Sequence, residues 1–577
     1  MAALINALDN SQIGENGHVE YGWSNNIQEK ILQLSFQITR TDEAGVKRLS
    51  NILRDLLINL KYKIDTSSLL YEKEVAKGYL SILYRMIGHT RDIIDGKGEY
   101  TLTYMMIYTW YEFFPQLATF ALRCLVDLGD ITVHQYGSWK DIKYFCEYCK
   151  SQGLSVEHPL IQFAIKITNE QIHKDYANHI SGENNISLAA KWIPREKSSF
   201  GWLYKELSTN YFDYFLTTAH TNIKKTKAVL KCKTEYRKLL SELNKKLDTL
   251  QIKQCGKQWT NIDFNKVTSI SNSKQKKAFL NIKKNGEVRH PYEQDRIECA
   301  EHFTARIQKA INGEVEMKGK RVGMANFTKQ ALELICTQNQ IEIDLLNSQW
   351  RDNATQTGAL DKMIPMVDVS GSMDGDPLLV AIALGIRIAD KSAIGKRILT
   401  FSAKPTWVNL EGYDDFVSQV KVVRNAEWGM NTNLHSALDT ILDAIIKNKM
   451  SPEDVQDLTL VVLSDMQLDQ GDTCDKKALY EIMEDKYAAA GNRVHGKPYK
   501  PPHILFWNLR STSGFPSLSN QPNCSMMAGF SPALLNLFCD QGLEALQSCT
   551  PWTLLERSLE NERYKIMSDK FSQEINV

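Results

Sequence analysis

No run of about 18 apolar residues, the length that spans a bilayer, occurs in this 577-residue chain. The nearest stretch, 104–122, is broken by Glu112, Pro115 and Gln116, so no membrane-spanning helix is expected. Evenly spaced cysteines are also missing. Eleven are scattered along the chain, which predicts reduced thiols in a cytosol-like compartment. The one close pair, Cys146-x-x-Cys149, has no second pair and no preceding strand, and reads as two ordinary helix residues. The opening MAALINALDNSQ lacks the basic flank and long apolar core of a secretory signal. Neither the Walker spacing nor G-x-S-x-G is found; at Ser370 the first glycine of the latter is replaced by Asp368. Internal repeats of fixed period are absent too.

Net charge is nearly absent as well, at +1, but its distribution is uneven. Between Thr221 and His290, 18 lysines and arginines face five acids, a surplus of 13 over 70 residues. The remaining chain, above all its C-terminal half, is correspondingly acidic. Such segregation points to a polyanion on one part of the molecule.

Along the chain, residues 1–20 are polar and non-periodic and predict a loose arm. Residues 21–350 carry apolar side chains at helical spacing in 27–39, 44–62, 67–88, 101–113, 116–129 and 138–152. Short breaks separate these segments, with Asp42 and Ser67 as N-cap candidates and Pro115 at a helix start. Paired helices with short turns predict an all-α bundle or a HEAT-like solenoid, with ring closure as one option. Residues 351–360 (RDNATQTGAL) read as a linker. In 361–550, strands expected at 363–367, 397–401, 458–463 and 503–507 alternate with helices near 377–392, 434–448, 475–490 and 531–547. That succession predicts a doubly wound, mostly parallel α/β sheet. Residues 551–577 predict one last amphipathic helix, packed back on the helical half. The whole is a multidomain chain, all-α then α/β.

The basic segment 221–290 begins with a long amphipathic helix bearing Lys224, Lys227, Lys231, Arg237, Lys238, Lys245 and Lys246. The acids that would pair with them at i, i+4 are mostly missing. Lys274, Lys276 and Lys277 follow, and Trp259, Tyr236 and Phe264 offer rings for base stacking. Arg91, Lys97, Lys140 and Arg195 stand at expected helix ends and are assigned to the same rim. The competing reading is helix capping, packing and a solvated charged face.

The stretch Met363–Met373, MIPMVDVSGSM, is an apolar strand running into Asp368, Ser370 and Ser372, with Gly371 for a tight turn. Thr432 lies in a second expected strand-to-helix loop, and Asp465 ends a third apolar run. All three loops fall at the carboxyl edge of a parallel sheet, where such folds bind ligands. Carboxylate and hydroxyl oxygens suit Mg²⁺, or Mn²⁺ or Ca²⁺, rather than zinc. The alternatives are helix-capping hydroxyls or a nucleophile turn.

The order Asp368, Ser370, Ser372, Thr432, Asp465 resembles the metal-ion-dependent adhesion site of von Willebrand factor A (vWA) domains. The resemblance implies an ion held directly by Asp368 and the two serines, and directly or through water by Thr432 and Asp465. It also implies one open coordination position, which in adhesion-type domains takes an acidic side chain of a protein ligand. A helical half followed by such a domain resembles the Ro autoantigen family, in which a HEAT-repeat (TROVE) ring closed by a vWA domain binds noncoding RNA. More closely, LYRMIGHTRDIIDGKGE, KWIPRE, YRKLLSELNK, WTNIDFNKV, HPYEQ and LNSQWRDN resemble an uncharacterised Ro-related family also present in large DNA viruses. That likeness covers most of 80–555. The expected function is a non-catalytic scaffold for RNA or other single-stranded nucleic acid, cytoplasmic, or virion-associated if the chain is viral. The alternatives are a metal-dependent protein-interaction module without nucleic acid and, behind it, a metal-dependent hydrolase.

Overall fold

The computed structural model describes residues 11–14, 17, 19–130, 132–401, 404–426, 433–467, 479–512, 514–539 and 548–575. The expected periodicities form helices. Glu43–Thr66 buries Val46, Leu49, Leu53, Leu56, Leu57 and Leu60, an i, i+3/i+4 stripe that must face inward. Asp42 caps it, its carboxylate accepting from Gly45 N at 2.8 Å. Thr101–Tyr111 is apolar on nearly every side, and Leu102, Met105, Met106, Ile107 and Trp110 place it at the centre of the first core. Pro115 opens Pro115–Cys124 at a position whose N–H has no helical acceptor. Cys146 and Cys149 are both buried on Lys140–Ser151.

The C-terminal residues complete that core. They form two helices, Pro551–Leu559 and Lys565–Ile575, joined by a 3₁₀ turn, Glu562–Tyr564, where one helix was expected. Trp552, Leu555, Tyr564, Met567 and Phe571 join Leu80, Tyr84 and Trp110 in one apolar cluster. Arg563 locks the return: Nε and Nη2 each donate to the Asp92 carboxylate at 2.7 Å. Gly88 allows the close approach, since a Cβ there would stand 2.7 Å from Met567 Sδ and 3.0 Å from Tyr136.

Six strands make the second layer system: β3 (Met363–Asp368), β4 (Arg397–Phe401), β5 (Thr406–Asn409), β6 (Thr459–Ser464), β7 (His503–Asn508) and β8 (Cys524–Ala528). An earlier hairpin of β1 (Ser11–Ile13) and β2 (Val19–Tyr21) occupies part of the expected loose arm, and Tyr21 exchanges backbone bonds with Phe515. The large sheet has the order β5-β4-β3-β6-β7-β8, parallel except for antiparallel β5. Its two faces are sorted by residue parity. Val367, Val461, Leu463, Leu505 and Trp507 meet the helices Met324–Thr337, Asp376–Lys391 and Phe416–Arg424. Met366, Leu460, Val462, Ile504 and Phe506 meet Leu434–Lys447 and Leu479–His495.

The expected linker begins in a helix. Residues 351–354, read as linker, are the last turn of the helix Gln340–Ala354. Trp350 of that helix stacks on Phe416 at 3.9 Å, and Arg387 donates to Asn353 O and Oδ1. The last helices of the expected helical domain therefore belong to the sheet's core. Among the described residues no helix is long and apolar enough to cross a membrane.

Candidate metal centre and polyanion surface

Two adjacent parallel strands end together. Val367 pairs with Leu463, so the chain delivers Asp368 beside Ser464 and then Asp465 at the carboxyl edge. Ser464 Oγ donates to Asp368 Oδ2 at 2.6 Å, and Ser370 N donates to Oδ1 at 2.9 Å. The chain then turns through a 3₁₀ segment, Gly371–Met373, which leaves Ser370 Oγ and Ser372 Oγ 3.1 Å apart. Gly371 thus sits in the tight turn expected of it, and a positive φ, +95°, follows at Gly375, just before the helix Asp376–Lys391. Asp465 Oδ1 accepts from Gln467 N at 3.2 Å, whereas Oδ2 is met by no hydrogen-bond donor among the described residues.

Both carboxylates are fully buried. Burial, and next the neighbouring Asp465 charge, push Asp368 up to about 7, against the Ser464 and Ser370 hydrogen bonds. Burial likewise raises Asp465, opposed by Gln467, Ser372 and Arg510. Two carboxyl groups taken out of water side by side resist ionisation unless a cation joins them. An orphaned carboxylate oxygen beside two hydroxyls and a second carboxylate fits a hard divalent ion. Among the described residues no group of three or more His, Cys, Asp or Glu is placed to hold a metal ion, so a site here would need the serine hydroxyls as ligands. Thr432 lies outside the described residues.

Arg510 was not singled out from the sequence. It follows β7 at the same edge, with Nε 4.0 Å from Asp465 Oδ2 and Nη2 donating to Asp374 O at 2.8 Å. The only signal for it was topological, a third strand ending at the ligand-binding edge. Beside it opens a crevice of about 490 Å³ between helical region and sheet, lined by Arg40, Arg48, Asp376, Arg510, Ser511 and Phe530. Arg40 pairs there with Glu99 at 3.2 Å and Asp376 at 3.4 Å and lies over Phe530.

The predicted polyanion residues divide. Arg91 is buried in a two-pronged ion pair with Asp141, at 2.7 and 2.9 Å, and cannot meet a ligand. Lys97 is buried too, donating to Ser35 O at 2.7 Å and Ile38 O at 2.9 Å; burial pushes its ammonium down to about 7. Both are interior structural cations, contrary to expectation. Lys276 is likewise committed, 2.9 Å from Glu342. The stacking rings fail as well: Tyr236 and Phe264 are buried, and Arg296 covers the Trp259 ring at 3.5 Å from its centre. Lys224, Lys227, Lys231, Arg237, Lys238, Lys245, Lys246 and Lys274 are exposed, Lys277 partly so. Lys238 pairs with Glu235 at 2.9 Å, and Arg237 reaches Glu196 at 3.7 Å. Arg195 is exposed and Lys140 partly so, and Lys140 shares the Tyr144 ring with Lys143, which the sequence reading passed over.

Comparison with known proteins adds relatives without activities. Residues 362–573 match one domain of unknown function (DUF7788), and residues 163–352 match another (DUF2828). The two spans meet at the turn between Ala354 and Met363, and the first takes in both the sheet and the returning C-terminal helices. The chain is also similar to the uncharacterised protein L728 of Acanthamoeba polyphaga mimivirus. The identity is 28% over 476 residues, covering 79% of this chain and 76% of that protein. A viral relative thus exists.

Proposed function

We propose that the protein is a non-catalytic scaffold: a vWA-type domain with a divalent-metal site, joined to a HEAT-like helical domain that takes RNA. The observation that carries the metal reading is the buried pair Asp368 and Asp465, with Oδ2 of the latter lacking a donor among the described residues. Asp368, Ser370, Ser372 and Asp465, with Thr432, would hold Mg²⁺, or Mn²⁺ or Ca²⁺. The ion would supply a fixed positive charge for an oxygen ligand. The serine hydroxyls serve as ligands in this reading, not as nucleophiles. Support for RNA comes from the exposed cations of the helix Asn222–Leu247.

Calorimetric titration of chelator-treated protein with Mn²⁺ and Mg²⁺ tests the metal. One ion per chain, lost in Asp368→Ala and Asp465→Ala, is expected; equal uptake by wild type and both variants would reject the site. A second reading, capture of an acidic protein ligand at the metal, draws on the crevice beside Arg510. Partner binding that is abolished by chelator while RNA affinity is unchanged would favour it.

A further inference from the structure

The outward face of the helix Lys140–Ser151 is more than a solvated surface. Lys140, Lys143, Tyr144, Glu147 and Lys150 recur there at i, i+3, i+4, i+7 and i+10, opposite the buried Asp141, Ile142, Phe145, Cys146 and Cys149. The helix Ala189–Trp192 and the loop after it lay Trp192 and Phe200 against this face, with Lys191 over the Trp192 ring.

Cations and rings interleave closely. Lys143 Nζ stands 5.1, 5.2 and 5.6 Å from the ring centres of Tyr144, Trp192 and Phe200. Lys140 stands 5.1 Å from Tyr100 and 5.2 Å from Tyr144, and Lys191 lies 5.7 Å from Trp192. Lys150 lies 4.7 Å from Trp202. Two carboxylates border the face and both are engaged: Glu147 accepts from Trp202 Nε1 at 3.1 Å, and Glu196 holds Lys233 and Arg237. Lys143 is pushed below its ordinary range, first by burial against these rings and then by the neighbouring Lys140 charge. Through Glu196 the face continues onto the basic helix Asn222–Leu247.

An ordinary solvated face would intersperse acids with lysines. Here the acid of the face, Glu147, is taken by Trp202, and the lysines sit over the rings of Tyr144, Trp192 and Phe200, which stay partly open. Phosphate contacts beside accessible aromatic planes are what an unpaired strand requires, while the stacked bases of a duplex offer no faces to such rings. We infer that the surface formed by Lys140, Lys143, Tyr144, Lys191, Trp192 and Phe200 is a binding track for single-stranded nucleic acid. Its lysines take phosphates and its rings take bases. The inference rests on the RNA-scaffold reading and moves the contact from the 221–290 segment to a face that the fold assembles.

Fluorescence anisotropy of the full chain with a labelled oligouridylate, an oligothymidylate of equal length and a duplex RNA, across a salt series, tests it. Both single strands should bind more tightly than the duplex, and the preference between them identifies RNA or DNA as the source. K140E/K143E should weaken binding at least tenfold at low salt and flatten the salt slope by about 1.4, two contacts at roughly 0.7 each. Tyr144→Ala and Trp192→Ala should each cost about 5- to 100-fold with the slope unchanged. Tyr144 is exposed, so its variant guards against a folding defect in the other. If K245E/K246E abolishes binding while these variants leave it intact, the track is overturned and the scaffold reading stands. If the wild-type chain binds no oligonucleotide at low salt, both fall. Duplex affinity equal to that of single strands, or polyglutamate affinity equal to that of oligouridylate, would also overturn the track.

Discussion

Arg510 and Asp465 face each other at 4.0 Å, and the carboxylate oxygen nearest the guanidinium is the one that accepts no hydrogen bond among the described residues. Arg510 is a tethered positive charge at the edge of the site proposed for a metal ion, and it competes with that ion for the same oxygen. Arg510→Gln should therefore tighten divalent-ion binding by about three- to tenfold, a modest gain because the side chain is part-exposed and screened. Calorimetric titration with Mn²⁺ reads it; weaker binding in the variant would show that Arg510 organises the site instead.

The raised Asp368 carboxyl gives chelator-treated protein a definite pH response. Between the ordinary aspartate range, near 4, and about 7, the folded state holds a proton that the unfolded state has released. Unfolding then loses protons, so stability falls as pH rises through this window. Thermal melts in chelator should show a lower midpoint at pH 8 than at pH 5.5, and Mg²⁺ should restore the loss at pH 8 only. Asp368→Asn should flatten the chelator curve.

Arg91 and Asp141 form a pair with side chains 1% and 0% exposed, and Tyr104 Oη adds a 2.7 Å bond to the same carboxylate. Asp141→Ala leaves a buried guanidinium without its anion, at a cost of about 3–5 kcal/mol. Urea unfolding measures that loss.

Arg563→Ala should be comparably damaging, because it leaves the buried Asp92 carboxylate without its two 2.7 Å donors. Hydrogen exchange should then quicken in the helix Leu70–Arg91, which the C-terminal helices cover. Unchanged protection there would mean that apolar packing alone holds the return.

What the sequence disclosed follows from what burial does to composition. β3, β6 and β7 are covered on both faces and therefore read as unbroken apolar runs. β5, short and half exposed at the sheet edge, and β8, CSMMA, carry no such signature and were missed. The oxygen donors were legible because they end recognisable strands. Arg91 and Lys97 were misread because a buried cation and a surface cation look alike until the partner is known. Asp141 lies 50 residues further on, and the acceptors of Lys97 are backbone carbonyls. The face around Lys143 was hidden for the opposite reason: its rings and charges come from segments about 50 residues apart.

The return of residues 551–575 onto the first core sets an order on biosynthesis. Tyr84 and Trp110 leave the ribosome early, yet Tyr564, Met567 and Phe571, which pack with them, are made some 450 residues later. At about 5–20 residues per second that interval is on the order of a minute. The nascent helical half spends it with an apolar face uncovered, a substrate for chaperones. A product prematurely terminated anywhere in the sheet region would carry that same exposed face and be marked for removal.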